Sequence, residues 1–506
     1  MQTLQPSPLR SLKQDLPAGL VVFLVAVPLC LGIAQASGAP LLSGLLAGII
    51  GGVVVGLLSK SPLSVCGPTA GLAVIVASGI QGLGFRAVLL ATVFGGLLQL
   101  LLGIFRLGVI AHYFPSAVIK GILAAIGILI AMKQVPHAVG YLRPEAGAPA
   151  APLLERISMG PVALTALCSL AYVAWPRLQR GWLTWIPTPL AAAVLGGVGA
   201  ALLPRIWAGA ALAPSQLVAL PRFEGLSSVT AAVITPDVSR WSDPAVWITA
   251  VTICIVASIE TLLSVEAVDR LDPHKRVSPP NRELVALGVG NVLSGLVGGL
   301  PVVSVIVRSS ANVQAGGQTQ VSTIFHGLLL LMGVLLLSPL LNAVPLAALA
   351  VVLIVVGVRQ SPLSLWRNTW RAGPTQFIPF AVTVLAVVGT DLLKGTLIGV
   401  AVGTFFAIRR QQQNAVVVTH EVDTVTVRFT KDITFLQKAQ LKEALREIPD
   451  GKRVVLDRSV VDFVDDDIEE LLAEFSGNAR SRNLTVHEPL PAAALVRRAL
   501  LVPGAH

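Results

Sequence analysis

Apolar runs long enough to cross a lipid bilayer follow one another through the first 410 residues, and they limit what the chain can fold into. A membrane helix needs about 20 mostly apolar residues. Such runs fall at 18–36, 40–58, 67–80, 86–105, 114–133, 159–176, 187–204, 245–268, 282–298, 304–315, 320–338, 343–357, 376–390 and 392–410. That is fourteen segments. Only 13% of the 506 residues are charged, where a soluble chain carries about a quarter. Mean hydropathy is +0.77. The fold class expected is an α-helical polytopic membrane protein, and a soluble enzyme is excluded.

The remaining composition fits that class. Gly (46) and Pro (34) are plentiful; small residues let membrane helices approach closely, and neighbours can satisfy carbonyls freed by proline. The net charge of +10 would suggest nucleic acid on a soluble domain. Here the basic residues gather in short loops on one side, including Lys60, Arg106, Arg270, Lys275, Arg276, Arg282, Arg359 and Arg409. They read as topology determinants that place both termini in the cytoplasm. Residues 1–17 are expected to be a polar cytoplasmic segment without a cleavage site. Cys30, Cys66, Cys168 and Cys254 lie in apolar stretches without metal-ligand spacing and read as packing residues.

Two runs, 67–80 and 304–315, are too short to cross alone. They are the third and the tenth, so each is third in its half of seven. Short segments at matching positions in two halves point to a transporter binding site. In VCGPTAGLAVIVA (65–77), Gly67 and Pro68 are expected to open a helix, with the amides of Thr69, Ala70 and Gly71 at its positive end. In GGLPVVSVIVRSSANVQAGG (298–317), a second helix opens after Pro301, with Ser304 in its first turn and Val305 and Ile306 beside it. Two helix N-termini make an anion site without a charged side chain. Arg308 follows one turn on; it either adds positive potential for the anion or pairs structurally with a carboxylate or backbone carbonyls.

A third constellation is IVASIETLLSVEAVDR (255–270), where Glu260 lies deep in an apolar helix and Ser264 shares its face. Three readings stand open. Glu260 carries a proton; or Glu260 and Ser264, with Ser304 nearby, give oxygen ligands to Na⁺; or Glu260 is a structural partner of Arg308 or the backbone. Glu266 and Asp269, at the helix end, read as solvated. His326 is assigned no role, and Asp391 and Lys394 read as an interfacial outer turn.

After residue 410 the pattern changes. Two alternating strand-like stretches, an amphipathic helix, a strand, a second helix and a last strand form a small cytoplasmic α/β domain over 411–506. The soluble part holds no nucleophile–base pair, metal cluster or phosphate loop.

The order NREL, GxGNxxSGLxGG and RSxxNxxAG within 260–331, with LVAVPLCLGIAQASG and GPTAG upstream, resembles the SulP family of anion transporters, solute carrier family 26 in animals. The last domain resembles a short STAS domain. The resemblance implies two inverted seven-segment repeats, about 18–204 and 245–410, arranged as core and gate domains that alternate access, in a homodimer. It implies a substrate site between the third and tenth helices, flanked by the first and eighth, which brings in Leu29 and Ile33. The first helix is most similar to the bicarbonate branch, where an Asp followed four residues later by Thr serves Na⁺; this chain has Glu260 and Ser264. No cofactor is expected beyond Na⁺ or H⁺ as coupling ion, and the location implied is a bacterial-type inner membrane. The alternatives are a sulfate or dicarboxylate proton symporter, an uncoupled anion conductor, or a membrane-anchored interaction module. STAS domains often carry Ser or Thr after the central Asp; here Asp465, Asp466 and Asp467 stand in that turn, so a phospho-switch there is not expected.

Overall fold

The computed structural model describes residues 8–108, 115–141, 157–221, 228, 232–390, 392–412, 415–461 and 463–488. Two compact units divide at residue 400.

The first unit is helical. Its helices are α1 (Pro8–Ala36), α2 (Leu41–Leu58), α3 (Ala70–Leu83), α4 (Phe85–Ile104), α5 (Ser116–Ala138), α6 (Met159–Leu178), α7 (Thr188–Ile206), α8 (Pro244–Leu271), α9 (Pro280–Leu296), α10 (Ile306–Gln314), α11 (Gln320–Leu336), α12 (Leu346–Gln360), α13 (Leu363–Arg371), α14 (Pro374–Gly389) and α15 (Leu392–Gln412). Leaving out α13, an amphipathic helix with Arg367, Trp370 and Arg371 exposed, these are the fourteen segments expected. Among the described residues, eight helical spans are long and apolar enough to cross a membrane. The third and tenth helices are short, as the sequence implied. Just before them, two two-residue strands, β1 (Cys66–Gly67) and β2 (Val303–Ser304), pair antiparallel with Cys66 opposite Ser304 and Gly67 opposite Val303. Equivalent points of the two halves therefore meet head to head, as an inverted repeat requires.

Small residues set the helix spacing. The α4–α9 contact is glycine-lined: a Cβ on Gly96 would sit 2.7 Å from the Val292 amide, and one on Gly288 2.6 Å from that of Leu100. Polar clamps tie loops to helices. Glu283, in the first turn of α9, is fully buried and accepts hydrogen bonds from the Ser59 hydroxyl (2.7 and 2.8 Å) and the amides of Lys60 (2.9 Å) and Ser61 (3.0 Å). Glu283→Ala strands those donors in the interior. It is expected to cost about 3 kcal/mol and to lower the unfolding midpoint measured in detergent.

The N-terminal segment differs from expectation. Helix α1 already begins at Pro8, and Asp15 is buried within it, accepting from the amides of Gln318 (2.6 Å) and Thr319 (3.0 Å). Residues 8–17 are thus anchored to the α10–α11 connection rather than forming a free tail. Asp269 is also engaged rather than solvated, accepting from the amide and hydroxyl of Ser278, both at 2.7 Å. Glu266 is exposed and pairs with Arg270 at 2.5 Å.

The second unit contains a four-stranded sheet in the order β3 (Val416–His420), β4 (Thr424–Phe429), β5 (Arg453–Asp457), β6 (Thr485–His487), antiparallel at its first pair and parallel after it. Helices α16 (Lys438–Arg446) and α17 (Asp466–Asn478) connect the later strands. One core joins Val425, Val427, Phe429, Leu441, Leu456 and Ile468. Every element anticipated for 411–506 is present. Asp465 caps α17 by accepting from the Asp467 amide at 3.2 Å, and Asp466 and Asp467 favour the positive end of its dipole. The acidic turn is therefore satisfied locally.

Candidate functional site

The two short helices begin later than the sequence suggested. Gly67 and Pro68 do not open α3, because Cys66 and Gly67 are spent on the β1–β2 ladder. Thr69 then adopts an extended backbone (φ −121°, ψ 152°), and its Oγ1 accepts from the Gly71 amide at 3.3 Å. That is ordinary N-cap chemistry for threonine. Helix α10 likewise opens at Ile306, behind an extended Val305 that supplies no side-chain cap. Both helices leave the same two-residue ladder, so their N-termini converge.

Ser304 therefore lies in a strand rather than a helical turn. Its hydroxyl hydrogen-bonds the Ser64 hydroxyl, and its amide donates to Thr261 Oγ1 at 3.3 Å. The Val305 amide donates to the Val65 carbonyl at 3.0 Å. Of the amides expected to meet an anion, those of Gly71, Ser304 and Val305 are thus engaged within the protein. Ala70 and Ile306, the first residue of each helix, stand at the positive ends of the two dipoles.

Glu260, on α8, reaches this point. Its Oε1 accepts from Thr69 Oγ1 at 2.5 Å. A Cβ on Gly71 would stand 2.5 Å from its Oε2, so only glycine there lets the carboxylate lie against the first turn of α3. Oε2 is buried and has no hydrogen-bond partner among the described residues. The carboxylate is itself an anion resting on a helix N-terminus. Ser264, buried one turn on, makes no hydrogen bond to it.

Arg308 is fully buried on α10. Its Nη2 donates to the Pro68 carbonyl at 3.3 Å, while Nε and Nη1 have no hydrogen-bond partner among the described residues. A Cβ on Gly67 would strike Nη1, so that glycine makes room for the guanidinium. The Glu260–Arg308 pair considered from sequence does not form; of the two structural readings of Arg308, the link to a backbone carbonyl is the one seen. Arginine keeps its charge inside proteins. A positive charge with no ion pair among the described residues therefore stands behind the ladder from which both helices start.

Helix α1 closes the site with apolar side chains. Ile33 packs in one cluster with Cys66 and Ala70, and Leu29 in another with Ala311 of α10. Thr261 and Ser64 were not singled out from sequence, since a lone hydroxyl in an apolar run is most often bonded to its own helix, as Thr252 is to the Ile248 carbonyl. His326 is fully buried with Nδ1 3.3 Å from the Thr323 carbonyl and Nε2 without a hydrogen-bond partner among the described residues. Asp391 lies outside the described residues, and Lys394 belongs to α15.

Comparison with known proteins accords with this architecture. The family described as "Sulfate permease family" matches residues 12–383. The putative sulfate transporter YvdB of Bacillus subtilis is 27% identical, over 80% of this chain and 75% of its own length. The bicarbonate transporter BicA of Picosynechococcus is 27% identical, over 79% of this chain and 71% of its own. The murine Solute Carrier 26 family member A9 anion transporter, solved in the inward-facing state, superposes with a TM-score of 0.77 at 18% identity, covering 96% of this chain and 87% of that one. With its family match over most of the membrane unit, the fourteen described helices that match the expected segments and two short helices that start from one strand ladder, the chain is a multi-pass transporter, not an enzyme, and belongs to the sulfate permease family.

Proposed function

We propose that this chain carries a small inorganic oxyanion, bicarbonate first, by secondary active transport coupled through Glu260. The observation that carries this is the meeting of three anion-relevant features at one point: two helix N-termini, the buried Arg308 charge and the Glu260 carboxylate. Glu260 acts as a tethered anion that competes with substrate for the end of α3. A cation at its bare Oε2 neutralises it, and the oxyanion then takes the Ala70 and Ile306 ends with Arg308 behind them. Leu29 and Ile33 supply the apolar wall. Binding of cation and anion is then mutually reinforcing, the thermodynamic requirement for symport.

Cargo and coupling ion are chemically linked. Bicarbonate plus a proton is equivalent to CO₂ plus water, so proton symport of bicarbonate moves nothing that CO₂ cannot. Bicarbonate, the anion for which the relative BicA is named, therefore goes with Na⁺ at Glu260, Ser264 and Ser304. A second reading, sulfate or a dicarboxylate carried with protons, is favoured by the single hydroxyl on Glu260 and by the absence of a Ser264 contact. Both termini are placed in the cytoplasm by the basic loops, in a bacterial-type inner membrane, with a homodimer as the working unit and 411–506 as a STAS-like domain.

Uptake of labelled bicarbonate, sulfate and fumarate into proteoliposomes, with Na⁺ or H⁺ gradients imposed separately, tests this. Bicarbonate uptake that responds to Na⁺ is expected. Sulfate or fumarate uptake driven only by H⁺ selects the second reading, and no uptake of any of the three contradicts both.

A further inference from the structure

Helix α13 is tied to the membrane unit at both ends yet has the composition of a surface helix. Ser361 (φ −121°, ψ 58°) and Pro362 (φ −70°, ψ 147°) leave the helical region and separate it from α12. Ala372 and Gly373, the latter at φ +92°, turn the chain into α14. Links of two residues cannot carry α13 far from two membrane helices. Two arginines in nine residues keep it out of the hydrocarbon. The bilayer interface is the level that satisfies both conditions. With both termini cytoplasmic, as proposed above, this is the cytoplasmic leaflet, whose surface is anionic.

One face of α13 is packed. Thr369 is buried, and Leu365 lies against the core. Trp366 meets Phe380 edge-on with ring centroids 4.9 Å apart, and its Nε1 donates to Ser361 Oγ at 3.0 Å. Trp370 touches Phe377 of α14 edge-on at 4.7 Å but stays 67% exposed, and Leu363 is 84% exposed. At about 100° per residue the exposed side divides into strips. Leu363 and Trp370 form an apolar strip beside the packed face. Arg367 and Arg371 follow, one turn apart, and then Ser364 and Asn368. Neither arginine has an ion pair or a side-chain hydrogen bond among the described residues. Two guanidinium groups thus stand between a strip that suits acyl chains and one that suits water, at the level of lipid phosphates. Guanidinium and phosphate pair with matched charge and bidentate geometry. We infer that α13 is a docking site for anionic phospholipid, with Arg367 and Arg371 on the headgroup phosphate and Leu363 and Trp370 against the adjoining acyl chains.

All four native cysteines are buried, so a bimane label on Ser364→Cys reports on this place. Ser364 is exposed and lies three and seven residues before the two arginines, on their side of the helix. The full chain is reconstituted in phosphatidylcholine vesicles. The label is quenched by lipid with a nitroxide near the top of its acyl chain, phosphatidylglycerol in one series and phosphatidylcholine in the other. Phosphatidylglycerol is expected to reach the same quenching at a mole fraction about fivefold lower, or less. Arg367→Gln together with Arg371→Gln brings the two lipids level, while Lys at both positions keeps a preference. Equal quenching by the two lipids with both arginines present overturns the site, as does a preference that survives loss of both. Quenching by neither lipid means that protein, such as a second copy of this chain, covers the face, and overturns it too. No transport is measured, so these outcomes stand apart from the cargo and coupling ion proposed above.

Discussion

Replacing Glu260 with Gln is expected to abolish cation-driven accumulation while leaving a folded, anion-binding protein. A tenfold cation gradient coupled one to one drives about tenfold accumulation of the anion, since each factor of ten is worth about 1.4 kcal/mol. In Glu260→Gln that ratio falls to about one. Gln keeps the shape and an oxygen that accepts from Thr69 Oγ1, so the cap of α3 stays intact. It removes the charge that competes for the helix end and holds the cation. Exchange of labelled for unlabelled anion persists in the variant. Retained gradient-driven accumulation removes Glu260 from the coupling step.

Arg308→Met is expected to separate binding from stability in the opposite sense. Arg308 is fully buried and, among the described residues, has one hydrogen bond of 3.3 Å to a carbonyl and two nitrogens without hydrogen-bond partners. Replacing a buried, poorly compensated charge by an apolar side chain of similar length is often neutral or stabilising. The unfolding midpoint is therefore unchanged or higher. Anion affinity falls, however. A unit charge near the anion at an effective dielectric near 20 contributes on the order of 2 kcal/mol, or about thirtyfold in Kd. Arg308→Lys is intermediate, retaining charge without the planar fork. Calorimetric titration with the transported anion, alongside thermal unfolding, checks both halves. Unchanged affinity with a lowered midpoint assigns Arg308 a purely structural role.

Much of this was legible in the residues because membrane helices announce themselves through length and apolarity. The fourteen segments, the shortness of the third and tenth, and every element of 411–506 follow from pattern alone. What was not legible is the β1–β2 ladder. Two residues per strand carry no periodicity, and pairing between Cys66–Gly67 and Val303–Ser304, far apart in the sequence, is invisible locally. That ladder moved both helix starts towards the C-terminus, and beside it the Ser304 and Val305 amides go to Thr261 Oγ1 and the Val65 carbonyl. The Thr69–Glu260 bond was hidden for a similar reason: in the sequence Gly71 stands out only for its amide, and its lack of a side chain gains meaning once α8 is laid beside it. Asp15 resembled part of a polar tail because its partners, Gln318 and Thr319, lie some 300 residues away.

The central claim is that anion and cation occupy adjoining parts of one site and assist each other. Anion affinity of the purified protein, measured by calorimetry across Na⁺ concentration and across pH, tests it most directly. Couplings between sites are typically 1–3 kcal/mol, about five- to 150-fold. The account predicts tightening within that range with one of the two cations, the same factor for the cation when anion is added, and loss of both in Glu260→Gln. An anion affinity that responds to neither Na⁺ nor pH would contradict it.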